Sequence, residues 1–302
     1  MDLGALLTAI YEGGANGAAL AAKLGVSRTM IWKGMQALRA EGVVIEGEAG
    51  SGYRLVDAAG FGPHTLAWRL GRPVHFFERC GSTNVEARAK AENAAHPGGL
   101  LVVADQQDAG RGRLGRSWDT EAGTNLMFSL VLVPEVLPQL APVCVLAWAA
   151  AMAEVLDCSV KWPNDLITAD GKKLGGILAE LSAEAERVRF VVLGVGINAN
   201  QVDFPGLPQA TSLALRSGVA QDRAALLAQL IRAIEAVPTL QRPSLDAWRA
   251  RSHTLGRRVR IGDVEGVAED VREDGALMVG SVAVLAGDVE MVGGLDDTQD
   301  GG

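Results

Sequence analysis

Two hydrophobic rhythms follow one another along the chain, a helical one near the N-terminus and a strand-like one through the middle and end. In RTMIWKGMQALRAEG (28–42), Ile31, Met35 and Leu38 recur at helical spacing, which leaves Arg28, Thr29 and Lys33 off the apolar face. The preceding segment GAALAAKLGV (17–26) reads as a shorter Ala/Leu-rich helix. Gly25 suits the left-handed turn between the two helices, and Ser27 suits an N-cap for the second. VVIEGEAGSGYRL (43–55) then reads as two short strands around a glycine-rich tip that includes Gly50 and Gly52. Residues 1–57 therefore predict a winged helix-turn-helix.

A Gly/Pro break at 61–63 leads into a long mixed segment. Its strand candidates, PVHFFE (73–78), GLLVVAD (99–105), NLMFSLVLV (125–133) and VRFVVLGVGIN (188–198), are β-branched or near-continuously apolar, as strands covered by helices are. Helical candidates are STNVEARAKAE (82–92), PVCVLAWAAAMAEVL (142–156) and RAALLAQLIRAIEAV (223–237). Beyond His253 the pattern changes to short strands with Gly and Asp at the joints, which suggests a small β-barrel over 254–293 after a catalytic-sized domain over 65–253. The last nine residues, GLDDTQDGG, read as a frayed acidic tail.

Charge narrows the functional classes. Lys and Arg number 28 against 36 Asp and Glu, a net charge of −8, which excludes a generally polybasic nucleic-acid binder. Within residues 1–57, Lys23, Arg28, Lys33, Arg39 and Arg54 face Asp2, Glu12, Glu41, Glu46, Glu48 and Asp57. A phosphate-binding face there must be local, and Glu46 and Glu48 on the wing oppose it. Cys80, Cys144 and Cys158 are odd in number and widely spaced, with no Cys-x-x-Cys pair, so neither a disulfide framework nor a zinc ribbon is expected and a reducing cytoplasm fits. His64, His75, His96 and His253 lack ligand spacing, so no metal site is expected. The longest apolar run, Val143–Ala153, is shorter than the roughly 20 residues of a membrane span.

The densest chemical signal is ADQQDAGRGRLGRSWD (104–119), where Arg111, Arg113 and Arg116 interleave with Gly110, Gly112 and Gly115. Guanidinium forks hold phosphate or carboxylate oxygens in pairs, and glycines let the backbone bend closely around an anion. The loop also spells G-x-G-x-x-G, but the polar DQQDA precedes it and no apolar helical repeat follows, so a dinucleotide fingerprint is not supported. A second cluster, KWPNDLITADGKKLGGILAEL (161–181), presents Lys161, Asn164 and Asp165 at a Pro163 turn, then Lys172 and Lys173 before Gly175 and Gly176. GVGINAN (194–200) places Asn198 at the end of a buried strand.

GRGRLGR, KWPNDL, KKLGGILAE and GVGIN, together with GSTN at 81–84, resemble the biotin protein ligases, and the N-terminal module with the terminal barrel is similar to their bifunctional form. The resemblance implies an α+β catalytic domain of the class II aminoacyl-tRNA synthetase and biotin ligase type, flanked by the winged helix and an SH3-like barrel. It implies ATP, biotin and Mg²⁺, with biotinyl-5′-AMP as the intermediate and a biotin carboxyl carrier domain of acetyl-CoA carboxylase as the acceptor. By the same resemblance, Ser82, Thr83, Asn84 and Gln107 hold the ureido ring, with Gly110, Arg111, Gly112 and Gly176 enclosing biotin. Arg113 and Lys173 serve both substrates. Arg116, Trp118, Asn164, Gly196 and Asn198 bound the nucleotide, Trp118 as a hydrophobic anchor. Asp165 either handles a proton of the acceptor lysine or pairs with Arg113. Ser27, Arg28, Thr29, Lys33 and Arg54 are the DNA-contact candidates, and a palindromic operator would imply a homodimer. Three alternatives stay open: a ligase with no DNA role, a biotin-sensing regulator without catalysis, and a lipoate ligase-like enzyme.

Overall fold

The computed structural model describes residues 1–13, 16–47 and 52–292. Two compact units share the chain, one formed by Met1–Phe77 with Gln221–Gln229, the other by the rest of the described residues. In the first, α1 (Leu3–Tyr11), α2 (Gly17–Leu24) and α3 (Arg28–Ala40) precede a two-stranded wing, β1 (Val44–Glu46) with β2 (Arg54–Asp57), and α4 (Pro63–Leu70). Each of the first three helices starts on a side-chain cap: Asp2, Asn16 and Ser27 accept from the exposed backbone N–H groups of the first turn. Gly25 ends α2 at φ 66°, the left-handed position a β-carbon disfavours. Ile31, Met35 and Leu38 are buried against Leu6, Leu7, Ile10 and Leu20, the stripe their spacing predicts.

Two helices here go beyond the sequence reading. Helix α1 buries Leu6, Leu7 and Ile10, and α4 adds Trp68, whose indole N–H donates to Thr8 at 3.0 Å. Both are short, eight or nine residues. Glu41, just after α3, accepts from the Thr65 N–H at 2.9 Å and the Thr65 hydroxyl at 2.7 Å, which anchors the start of α4. Glu48 and Gly50 of the wing, and the tail from residue 293, lie outside the described residues.

The second unit holds β3 (His75–Cys80, which begins in the first), α5 (Thr83–Glu92), β4 (Leu101–Gln107), β5 (Leu126–Leu132), α6 (Ala141–Val155), β6 (Ser159–Lys161), β7 (Asp165–Ile167), β8 (Lys173–Ala183) and β9 (Val188–Ile197). The seven strands run β3-β4-β5-β9-β8-β7-β6, and the pairings from β4 to β6 are antiparallel. Helix α5 packs on β4, β5 and β9, and α6 on β6 and β8. Every residue of β5 is buried, including its one polar side chain, Ser129. After α7 (Leu213–Ser217), α8 (Arg223–Glu235, whose first half belongs to the first unit) and α9 (Asp246–Ala250), the strands β10 (Arg258–Ile261), β11 (Val264–Val271), β12 (Leu277–Val279), β13 (Val282–Val284) and β14 (Glu290–Met291) form a second sheet in the order β13-β12-β11-β10-β14. The fold is mixed α+β, with an N-terminal winged helix-turn-helix and a C-terminal SH3-like sheet.

One expectation needs correcting. With the turn before it, α6 forms an 18-residue helical stretch, Pro138–Val155, that is long and apolar enough by length and composition to cross a membrane. It exceeds the run Val143–Ala153 because Pro138, Leu140 and Ala141 extend it. More than half of it is buried, with Trp148 fully so, as in a core helix. All three cysteines are free and buried, and burial pushes the thiols of Cys80 and Cys144 to about 11 and that of Cys158 to about 12.

Candidate active site

The arginine loop closes on itself as a narrow hairpin. Trp118 N–H donates to Gly110 O at 2.9 Å, Gly112 N–H donates to Arg116 O at 2.7 Å, and Arg111 bridges Ser117. The tip turns through Arg113–Gly115, with Leu114 at φ 55° and Gly115 at φ 76°. Leu114 is an exposed branched residue in the left-handed region, the kind of backbone cost that collects at functional loops. Arg79 holds the loop's start by donating to Asp108 at 2.7 Å, and this hydrogen bond keeps the Asp108 carboxyl below its ordinary range.

Beneath the hairpin lies a cleft of about 730 Å³, open to solvent. Its first wall is the start of α5. Gln107 Oε1 accepts from the Thr83 N–H at 2.7 Å and its hydroxyl at 3.1 Å, and Ser82 occupies the N-cap without a capping bond. Behind them, Ser129 donates to Asn84 Oδ1 at 2.7 Å and lies 2.8 Å from the Thr83 hydroxyl, while Asn84 Nδ2 donates to Leu178 O at 3.1 Å. A buried serine in β5 thus fixes two neighbours at once. A β-carbon on Gly194 would lie 2.0 Å from Asn84 Oδ1, so glycine leaves room for that network.

Cations line the opposite wall, each with a partner. Lys173, first residue of β8, pairs with Asp165 at 2.7 Å, and its ammonium lies 5.8 Å from the Trp118 ring centroid. Arg113 donates to Asn164 Oδ1 at 3.1 Å and Gly287 O at 3.3 Å, and Asn164 in turn donates to Ile177 O at 2.7 Å. Arg116 pairs with Asp288, and Arg111 with Glu180 at 3.0 Å. Asp165 therefore partners Lys173, not Arg113 as one reading of the sequence had it. Trp118 lies over Gly196, where a β-carbon would come within 2.6 Å of the indole. Among the described residues the indole N–H of Trp118, which lines the cleft, is buried without a hydrogen-bond partner, a donor left for a ligand to satisfy.

Of the proposed ligand residues, Ser82, Thr83, Asn84, Gln107, Arg111, Gly112, Arg113, Arg116, Trp118, Asn164, Lys173, Gly176 and Gly196, with Asp165, line this one cleft. Gly110 and Asn198 are not brought to it. Gly110 is packed against the Trp118 backbone, where a β-carbon would lie 2.3 Å from the carbonyl oxygen. Asn198 is buried, and its amide donates to Thr211 O at 3.0 Å. The same segment accepts from Lys173 N–H through Gln209 O at 2.6 Å, so Asn198 braces the strand that carries the lysine. Asp288 was missed by the sequence reading. It stands in an unremarkable LAGDVE stretch, 172 residues from Arg116, and no local signal marks it. Glu180 was also missed; it is half-buried in β8 and pairs with Arg111, a partner no nearby residue in the sequence announces.

In the winged helix, the five cations divide. Lys23 pairs with Glu12 at 3.0 Å, Arg54 pairs with Glu46, and Arg39 donates to Ile45 O at 2.8 Å and Gly47 O at 2.9 Å, which secures the wing. Arg28 and Lys33 are exposed on α3 and, among the described residues, have no ion-pair partner. Thr29 is exposed beside them, Ser27 caps the helix through its Oγ, and Trp32 stands 51% exposed on the same helix. Of the five basic residues of this module, two are thus left without an ion-pair or carbonyl partner among the described residues.

Comparison with known proteins is consistent across the chain. Residues 76–198 match the biotin/lipoate A/B protein ligase family, and residues 6–54 match an HTH domain. The bifunctional ligase/repressor BirA of Bacillus spizizenii is 34% identical over 299 residues, covering 89% of this chain and 91% of that protein. The biotin–[acetyl-CoA-carboxylase] ligase of Mycobacterium tuberculosis is 36% identical over 269 residues, covering 80% of this chain and 90% of its own. Among solved structures, the biotin protein ligase from Aquifex aeolicus in complex with biotin and ATP aligns with a TM-score of 0.55 at 27% identity, over 72% of this chain and 98% of that one.

Proposed function

The chain belongs to the biotin protein ligase family, and from that premise we propose that it joins biotin to ATP as biotinyl-5′-AMP and then passes biotin to a lysine of a biotin carboxyl carrier domain, such as that of acetyl-CoA carboxylase. The observation that carries this reading is the convergence of Arg111, Arg113, Arg116 and Lys173 on a cleft whose other end is the neutral polar set Ser82, Thr83 and Gln107. A urea needs donors and acceptors without charge. A carboxylate approaching a phosphate needs the opposite, since two anions meet and negative charge grows on the phosphorus oxygens in the transition state.

In this reading biotin lies with its ureido ring toward Thr83 and Gln107 and its carboxylate toward Lys173. Lys173 bridges carboxylate and α-phosphate, Asp165 holds that ammonium in place, and Arg113, braced by Asn164 and Asp288, retains the adenylate. The half-buried Trp118 indole packs on the ligand and offers its N–H, which has no partner among the described residues. ATP enters with Mg²⁺ as part of the substrate. In the second step the acceptor lysine attacks the mixed anhydride carbonyl, an amide forms and AMP leaves.

The winged helix contributes the second half of the reading, operator binding by α3 through Arg28, Thr29 and Lys33. An operator with two-fold symmetry would be met by a homodimer. Division into 1–57, 65–253 and 254–293, and a cytoplasmic setting for the three thiols, belong to the same reading. Mixing the full chain with biotin, Mg²⁺ and ATP should give biotinyl-AMP by mass, and adding a carrier domain should give the biotin mass shift on it. Adenylate formation from lipoate but not from biotin would overturn the substrate. Adenylate without acceptor modification would leave a regulator, and a labelled operator that is never retained, with or without biotin and ATP, would remove the DNA role.

A further inference from the structure

A second groove, of about 560 Å³, opens from the candidate active site. It shares Arg116, Asn164, Asp165 and Asp288 with the ligand cleft and continues to Lys161 and Glu290. It therefore joins the cleft at the cationic end, away from Ser82, Thr83 and Gln107. The carboxylates along it have partners already: Asp165 holds Lys173, Asp288 lies against Arg113 and Arg116, and the largely exposed Glu290 is 4.0 Å from Arg260. Lys161, at the end of β6, differs from every cation of the cleft, because among the described residues no carboxylate pairs with its ammonium. Its charge is felt locally. The buried imidazole of His253 is pushed down to about 4 by burial first and then by the charges of Arg257 and Lys161.

The proposed adenylation makes a product for which the cleft has no assigned seat. The carboxylate oxygen bonds to the α-phosphorus, the bond from that phosphorus to the bridging oxygen breaks, and diphosphate departs with the electron pair. It leaves on the side opposite the attacking oxygen. A nucleotide with its α-phosphate at Lys173 has the groove next to it, beyond Asp165 and Arg116.

Resting on the ligase reading above, we infer that this groove receives the diphosphate leaving group and that Lys161 binds it, with Arg116 as the second cation. An unpaired ammonium beside paired guanidinium groups suits a ligand that must be held during bond breaking and then released, since the lysine has no protein carboxylate to give up and regain.

The test uses the purified full chain, Lys161→Met and Lys161→Arg. The reverse reaction is run from biotinyl-AMP and inorganic diphosphate to ATP, and the transfer half-reaction from supplied biotinyl-AMP to a carrier domain. Lys161→Met should raise the KM for diphosphate by roughly tenfold to a hundredfold, the effect of losing a charged hydrogen bond. It should slow forward adenylation and leave transfer from biotinyl-AMP within about twofold of the unmodified chain. Lys161→Arg, which keeps the charge, should recover most of the diphosphate affinity. A KM for diphosphate unchanged in Lys161→Met overturns the inference, and so does an equal fall in the transfer step, which would place Lys161 at the adenylate or in the fold. If the unmodified chain itself forms no biotinyl-AMP, it is the ligase reading that fails.

Discussion

The ligand cleft and the recognition helix both depend on positive charge, and they hold it in opposite ways. In the cleft, Arg111, Arg113, Arg116 and Lys173 are each fixed by a carboxylate or a carbonyl oxygen before any ligand arrives. On α3, Arg28 and Lys33 stand in solvent with no ion-pair partner among the described residues, while Lys23, Arg39 and Arg54 of the same module are tied into structure. The contrast follows from the tasks proposed for each. Charge that must stabilise a transition state works best when its position is set in advance, because reorganisation then adds nothing to the barrier. Charge that meets a phosphate backbone works by releasing counterions, which requires only that it be free and exposed.

The sharpest way to break the contrast is on the cleft side. Lys173→Ala should cut biotin-dependent ATP–diphosphate exchange by about 10²–10³, the range of about 2.7–4 kcal/mol seen when one preorganised donor is removed from an electrostatic site. The fold should survive, because the Lys173 side chain is partly exposed and its contacts, the pair with Asp165 and the approach to the Trp118 ring, lie within the cleft. Exchange at the original rate would mean that the paired lysine is structural.

A second test reads the cations near His253, Arg257 and Lys161, through its titration. Its folded-state value of about 4 lies below the ordinary 6.5, with burial the main cause and Arg257 and Lys161 adding to it. Between those values the unfolded chain binds a proton that the folded chain refuses, so stability is present above pH about 6.5 and is lost as pH falls toward 4. The loss amounts to about 3 kcal/mol by the lower end. Denaturant unfolding between pH 7 and 4 should show it, and His253→Gln should flatten that part of the profile. An unchanged slope in the variant would mean that other groups set the acid response.

How far these sites could be read from sequence depends on whether a residue's partner is local. The strand segments 99–105, 125–133 and 188–198 and the helices over 82–92 and 142–156 were legible because apolar runs and periods belong to the segment itself. The arginine loop and Lys173 were legible because glycine and cation sit side by side in the chain. Asn84 and Asn198 show the limit, since an amide in a motif looks the same whether it faces a ligand or, as in Asn198, donates to Thr211 O. Asp288 shows the other limit. Its role is created by the terminal sheet meeting the loop, and only the fold brings them together.

The smallest expected effect lies in the winged helix and separates free charge from paired charge within a single module. Replacing Arg28 or Lys33 with Ala should weaken operator binding at every sequence tested and reduce the slope of log affinity against log salt by about 0.9 for each phosphate that is no longer neutralised. Lys23→Ala is the comparison, since its ammonium already sits 3.0 Å from Glu12 on the exposed surface. An exposed pair of this kind contributes about 0–1 kcal/mol, so the variant should keep both its stability and its salt slope nearly unchanged. Fluorescence anisotropy of a labelled operator across a salt series reads all three variants. A slope that fell equally for Lys23 and Lys33 would mean that the Glu12 pair opens on DNA, and free charge could then no longer be identified by its lack of a partner in the unbound protein.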